Sequence, residues 1–124
     1  MAKHNELGHQ GELFAAQYLE SINYQIIETD WQYNHKDIDI IALDENQTLV
    51  FIEVKTRRND LFGSPADAID QQKMQNLIRC ANTFIRMHKY NGNSRFDVIS
   101  LIGTQPPFAP THIKDAFNAA TAFG

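Results

Sequence analysis

Apolar and polar residues repeat along this chain with two different periods, and the changes of period divide it into elements. From Glu6 to about Ile22, Gly11, Phe14, Tyr18 and Ile22 recur at helical spacing among good helix formers such as Ala15, Ala16, Leu19 and Glu20. Gly8 and Gly11 weaken such a helix, so a close backbone approach is expected there. After Asn23 the period drops to two: Ile27, Thr29, Trp31 and Tyr33 alternate with Ile26, Glu28 and Asp30, as in an edge strand with an acidic face. A turn at Asn34-His35-Lys36 leads into two β-branched runs, 37–43 and 49–57, separated by the polar turn 44–48. A polar loop follows, and the stripe Met74, Leu77, Ile78, Ala81, Phe84 and Ile85 predicts an amphipathic helix over 67–89. Cys80 lies in that stripe as a packed thiol, while Lys73 and Arg79 fall at outer or end positions. Residues 95–102 read as a strand and 111–117 as a short strand or helix turn; residues 1–5 and the small residues 118–124 read as frayed ends. Helix and strand do not alternate strictly, so the pattern predicts one α/β domain over 1–124, a mixed β-sheet flanked by helices.

The hairpin at 37–57 holds the chemistry. If its turn centres on Asn46, paired residues sum to 92: Leu43 faces Leu49, Ile41 faces Phe51, Ile40 faces Ile52 and Ile38 faces Val54. That register sets Asp39 opposite Glu53 and Asp37 opposite Lys55, with Glu53, Lys55 and Arg57 on one face. Two facing carboxylates repel unless one is protonated, Lys55 neutralises them, or a divalent cation sits between them. A surface ion-pair ladder at a strand end is the plainer alternative.

Charge adds to this picture. The net charge of −4 argues against a general nucleic-acid binder. Its distribution is uneven: residues 1–54 carry a balance of −8, residues 55–95 of +5 and residues 96–124 of −1. The basic segment therefore begins at Lys55, as a phosphate footprint would or as an ordinary solubilising surface would. No apolar run is long enough to span a membrane, no signal peptide opens the chain, and a lone cysteine fits a cytoplasmic protein. Cys/His ligand spacings and Gly-rich phosphate loops are absent from the sequence.

These residues carry a resemblance. Gly11-Glu12 in an early helix, Ile38-Asp39-Ile40-Ile41, Glu53-Val54-Lys55-Thr56-Arg57, Phe62-Gly63, Lys73 and Arg95-Phe96-Asp97-Val98 resemble the YraN-like family of small bacterial proteins in the PD-(D/E)xK nuclease superfamily. That family is similar in turn to archaeal Holliday-junction resolvases. One departure is Lys36-Asp37 where the family usually has Gly-Glu. The resemblance implies a restriction endonuclease-like core and metal-dependent hydrolysis of DNA. It implies that Asp39, Glu53 and the Val54 carbonyl hold Mg²⁺ or Mn²⁺. Lys55 would stabilise phosphate charge or orient water, Glu12 would hold metal-bound water or a second ion, and Arg57, Arg58 and Lys73 would grip backbone phosphates. It further implies a homodimer acting on branched DNA. The competing expectation is a non-catalytic nucleic-acid or protein-interaction module on the same fold.

Overall fold

The computed structural model describes residues 6–59, 61, 63–65 and 69–124. The elements run α1 (Glu6–Ser21), β1 (Gln25–Tyr33), β2 (Lys36–Leu43), β3 (Leu49–Arg57), α2 (Gln71–Met87), β4 (Ser94–Ile102), β5 (Ala109–Phe117) and α3 (Ala119–Phe123). The five strands form a single mixed sheet in chain order, β1-β2-β3-β4-β5. All neighbours are antiparallel except β3 and β4, which are parallel and joined through α2.

Each face of the sheet has its own core. On one face Ala15 and Leu19 of α1 pack with Val50, Ile52, Ile99 and Leu101. On the other, Leu77, Ala81 and Phe84 of α2 pack with Phe51, Val98 and Phe117. Buried on both sides, β3 reads as a continuous apolar run until Glu53. The hairpin register is the one three of the expected apolar pairs dictate, with Leu43 on Leu49, Ile41 on Phe51 and Ile40 on Ile52; the fourth, Ile38 on Val54, is not formed.

Gly11 explains itself here. A Cβ at that position would sit 1.9 Å from Thr56 Oγ1, so only glycine lets α1 lie this close to β3. The turn between β1 and β2 places Asn34 and His35 at φ 56° and 66°, the left-handed pair that a two-residue hairpin requires.

Two expectations are corrected and one pair of alternatives is decided. The second helix was expected from residue 67, but α2 starts at Gln71 because Asp70 caps it, its carboxylate accepting the Lys73 N–H at 2.8 Å; residues 67 and 68 lie outside the described residues, as do 1–5 and the Phe62 of the Phe62-Gly63 pair. The segment near the C-terminus is a nine-residue strand, β5. The expected frayed tail is instead the helix α3. It is held by a reciprocal cap between Asn118 and Thr121, and its Ala122 carbonyl accepts from both Gln71 and Gln75 of α2. Small residues allow that close docking, so their composition misleads.

Candidate functional site

The β2–β3 ladder stops at Ile40 and Ile52, where the two strands part. Beyond that point the Val54 N–H is bound by the Asp39 side chain, donating to Oδ2 at 2.8 Å. Two features mark Asp39 as a break in β2. Asp30, its counterpart on β1, adopts φ 52°, and the flanking Ile38 and Ile40 pack into opposite cores although they are two residues apart. A regular strand would send both to the same face.

The parted strands leave an open cavity of about 330 Å³ between the first turns of α1 and α2. Among its described lining residues are Glu12, Asp37, Asp39, Glu53, Val54, Lys55 and Lys73. Four expected site residues, Glu12, Asp39, Glu53 and Lys55, therefore share one cavity. Gly11 contributes indirectly, since the close approach of α1 to Thr56 brings the next residue, Glu12, to the cavity wall. Glu12 and Asp39 also line a second hollow of about 160 Å³ toward β1.

The electrostatics centre on Asp39 and Glu53. Burial, followed by the Asp39 charge, pushes the Glu53 carboxyl up to about 9. Burial also raises Asp39, against the lowering effect of the Val54 N–H. Glu53 Oε1 is buried with no hydrogen-bond partner. At neutral pH and without another cation the pair thus holds a proton.

The neighbouring cation is Lys73. Its Nζ lies 3.8 Å from Glu53 and 3.9 Å from Asp37. Burial works against its charge, but Glu53, Asp37 and Asp39 together raise its pKa. This corrects one expectation, that Asp37 faces Lys55, and adds a contact of Lys73. Asp37 pairs with Lys73 because the strands have parted before Asp37 could face Lys55, and Lys73 points into the acid pair from the first turn of α2. Lys55 lies on the same cavity with its side chain exposed.

Arg57 and Arg58 are not among the described lining residues. Arg57 turns into the fold, donating to the Ser64 carbonyl at 2.9 Å and reaching Ser100 Oγ at 3.5 Å. Arg58 is exposed past the end of β3.

Asp39 and Glu53 suit a hard divalent cation, which takes one or two carboxylates and completes its shell with water and phosphate oxygens. The unpartnered Glu53 oxygen is the donor such an ion would use. Among the described residues no group of three or more His, Cys, Asp and Glu forms a metal site unaided.

A second polar cluster escaped the sequence reading. Arg95 donates to Asp44 at 2.6 Å, to Asp97 at 2.9 Å and to the Tyr24 hydroxyl at 2.6 Å, and His112 Nε2 lies 2.8 Å from Asp97. Asp97 is fully satisfied, also accepting the Asp115 N–H. The cluster ties the hairpin turn to β4 and β5 at the end of the sheet away from the cavity. Arg95 and Asp97, two apart on a strand, were its visible signal.

No helix among the described residues is long and apolar enough to cross a membrane. The relatives are bacterial. A UPF0102 protein of Bacteroides thetaiotaomicron is 43% identical over 117 residues, covering 94% of this chain and 96% of its own. A UPF0102 protein of Flavobacterium johnsoniae is 43% identical over 121 residues, covering 94% and 98%. Among solved structures, a repair endonuclease from Pyrococcus abyssi aligns with TM-score 0.47 at 16% identity, over 84% of this chain and 41% of that one. A protein of unknown function from Silicibacter pomeroyi aligns with TM-score 0.43 at 10% identity, over 98% and 82%. Both are too remote to carry a function across. Residues 11–101, from the helix that brings up Glu12 through β4, match the family described as "Uncharacterised protein family UPF0102", and with relatives this close over nearly their whole length the chain belongs to that family.

Proposed function

We propose that the protein is a nuclease that hydrolyses phosphodiester bonds of DNA with Mg²⁺ or Mn²⁺ as cofactor. The observation that carries this reading is the buried pair Asp39 and Glu53, one oxygen of it unpartnered, opening on a cavity that also holds Lys55 and Lys73. Asp39 and Glu53, with the Val54 carbonyl, would hold the ion, and Glu12 stands at the edge of the set. Bound there, it would polarise the phosphate and acidify a water.

The protein's own groups supply the rest. In hydrolysis a water oxygen bonds to phosphorus, the bond from phosphorus to the leaving sugar oxygen breaks, and that oxygen takes up a proton. Lys55, exposed on the cavity, donates to a phosphate oxygen as negative charge accumulates. Glu12 accepts a hydrogen bond from the attacking water. Lys73 neutralises the acids in the free protein, and its ammonium becomes available to phosphate once they are otherwise engaged. The first turns of α1 and α2, which border the cavity, favour an anion there. Exposed Arg58 extends the grip along the backbone, while Arg57 supports the loop at Ser64. Contacts of this kind read the shape of DNA more than its sequence.

The test is cleavage of labelled duplex, single-stranded, flapped and four-way-junction DNA with Mg²⁺, Mn²⁺ or EDTA. Wild type is compared with Asp39→Ala and Lys55→Ala. Metal-dependent cleavage lost in both variants is the expected result. Equal cleavage by variants and wild type would reveal a contaminant. A second reading, a non-catalytic nucleic-acid or protein-interaction module, draws support from Lys73, which already closes the acid pair as a structural ion pair would. It predicts DNA binding without cleavage and no saturable Mn²⁺ binding. A homodimer belongs to the nuclease reading, and sedimentation tests it directly.

A further inference from the structure

Next to the acid cavity lies a second depression that the nuclease reading does not use. It has a volume of about 140 Å³ and is lined by Tyr33, Asn34, Lys36, Arg79, Cys80 and Thr83. We propose that it receives an unpaired nucleobase of the nucleic acid held at the acid cavity, stacked on Tyr33, with Lys36 and Arg79 against the flanking phosphates. The inference rests on the nuclease reading and narrows its substrate to DNA with an unstacked nucleotide beside the cleaved bond.

Tyr33 is built as a platform. The residue is 46% exposed and its ring stacks on Trp31, with centroids 6.1 Å apart and planes within 7°. Trp31 in turn meets Phe84 edge-on at 5.2 Å, and Phe84 meets Phe51 at 5.9 Å. The exposed ring is thus fixed through contacts that run down to the core, and little freedom is lost when a base lands on it. Tyr33 is also the last residue of β1, paired with Lys36 across the Asn34-His35 turn. That pairing brings an ammonium and an aromatic ring side by side. Arg79 supplies the second cation, its guanidinium held over the Phe123 ring at 5.1 Å. An aromatic face flanked by cations is how single strands are bound without reading sequence.

The two depressions are continuous in the chain. Asp37 lines the acid cavity and its chain neighbour Lys36 the second depression. On α2, Lys73 and Cys80 are two helical turns apart, roughly 10 Å, within reach of a neighbouring nucleotide. A base in a continuous duplex is stacked on both sides and cannot enter, so the depression favours flaps, junctions, mismatches or single strands over intact duplex.

The test uses the full chain in EDTA, so that binding is read without cleavage. Fluorescence anisotropy compares short oligothymidylate with a blunt duplex, and 2-aminopurine placed at successive positions of the oligonucleotide reports stacking. Tyr33→Ala is expected to weaken oligothymidylate binding roughly tenfold, within the range for loss of one base–aromatic stack. It should leave duplex binding within twofold and abolish 2-aminopurine quenching. Tyr33→Phe keeps the ring and should retain both. Lys36→Ala and Arg79→Ala should weaken binding with a shallower salt dependence. Equal losses for single strand and duplex, unchanged quenching in Tyr33→Ala, or no binding by the wild type would each overturn the proposal. Failure of the nuclease reading looks different: quenching would still depend on Tyr33 while Asp39→Ala changed no cleavage.

Discussion

Replacing Glu53 by glutamine should make the protein more stable, increasingly so as the pH rises. The Glu53 carboxyl is raised from 4.5 to about 9 by burial and by Asp39. Between those values the unfolded chain has released the proton that the folded chain keeps. Folded stability contributed by this group therefore falls as pH rises through the window, by at most ~1.4 kcal/mol per pH unit. At pH 7, about 2.5 units above the unfolded value, the penalty is ~3 kcal/mol relative to a solvated carboxyl. Glutamine removes the titration and can donate its amide hydrogen to Asp39, but it faces Lys73 and carries a second buried donor. The net gain should be ~1–3 kcal/mol at neutral pH and close to zero below about pH 4, where both states are protonated. Urea denaturation at a series of pH values measures it. With a slope of ~2 kcal/mol per molar urea, the midpoint gap between variant and wild type should approach about 1 M at pH 7. Midpoints that run parallel in pH, or a variant less stable than wild type at pH 7, would refute the shared-proton account and leave Lys73 as sufficient counter-charge. The same measurements with added Mg²⁺ should raise the midpoint of wild type and leave Glu53→Gln nearly unmoved.

Other consequences are equally direct. Gly11→Ala drives a methyl into Thr56 Oγ1 and should cost ~1–3 kcal/mol, with Thr56→Ala in the same chain restoring most of the loss in a double-mutant cycle of thermal melts. Asp39→Asn keeps an acceptor for the Val54 N–H and should fold as stably as wild type while losing metal binding, read by calorimetric Mn²⁺ titration; Asp39→Ala strands that N–H as well and should melt lower by ~1–3 kcal/mol. Arg95→Met should cost ~3–5 kcal/mol at neutral pH by removing the counter-charge of the buried Asp44 and Asp97. Burial opposes both ionised acids, yet hydrogen bonds, from Arg95 to Asp44 and from His112 and Arg95 to Asp97, hold them below the usual 3.8. Their contribution is present above that value and lost as pH falls through the lower folded values, so the variant's acid-unfolding limb should flatten. Asn118→Ala removes the side-chain half of the α3 cap, the acceptor of the Thr121 N–H, and should cost ~1 kcal/mol, with hydrogen exchange rising first in α3.

The elements legible in the sequence were those fixed by local pattern. The hairpin register followed from matching apolar pairs, because a slip of one residue would expose every one of them. The glycine at 11 was legible as a close approach because nothing else justifies glycine inside a helix. What could not be read depends on contacts distant in sequence. Lys73 was expected to grip phosphate, and its place beside the acid pair follows only from the cap at Asp70, which fixes where α2 begins. The helix α3 hides in a small-residue tail because it is held by Gln71 and Gln75, 51 and 47 residues from Ala122. Arg95 joins residues 51 and 71 positions distant, and no period in the chain records that.

The acid pair and the broken ladder are one feature seen twice. A continued ladder would satisfy the strand amides between β2 and β3 and bury two like charges against each other with no room for a third group. Here the strands part after Ile40 and Ile52, and Asp39 takes over the Val54 N–H that the ladder has abandoned. That substitution holds the carboxylate rigidly while leaving the second acid, Glu53, short of a partner. Packing alone would fill such a gap with an apolar side chain, as it does two residues earlier at Phe51. A fold that keeps a buried, under-satisfied carboxyl beside an ordered one gives up stability at that point. On the proposed reading an incoming cation and its anionic ligand would restore that loss, which would tie the cost of the site to its use.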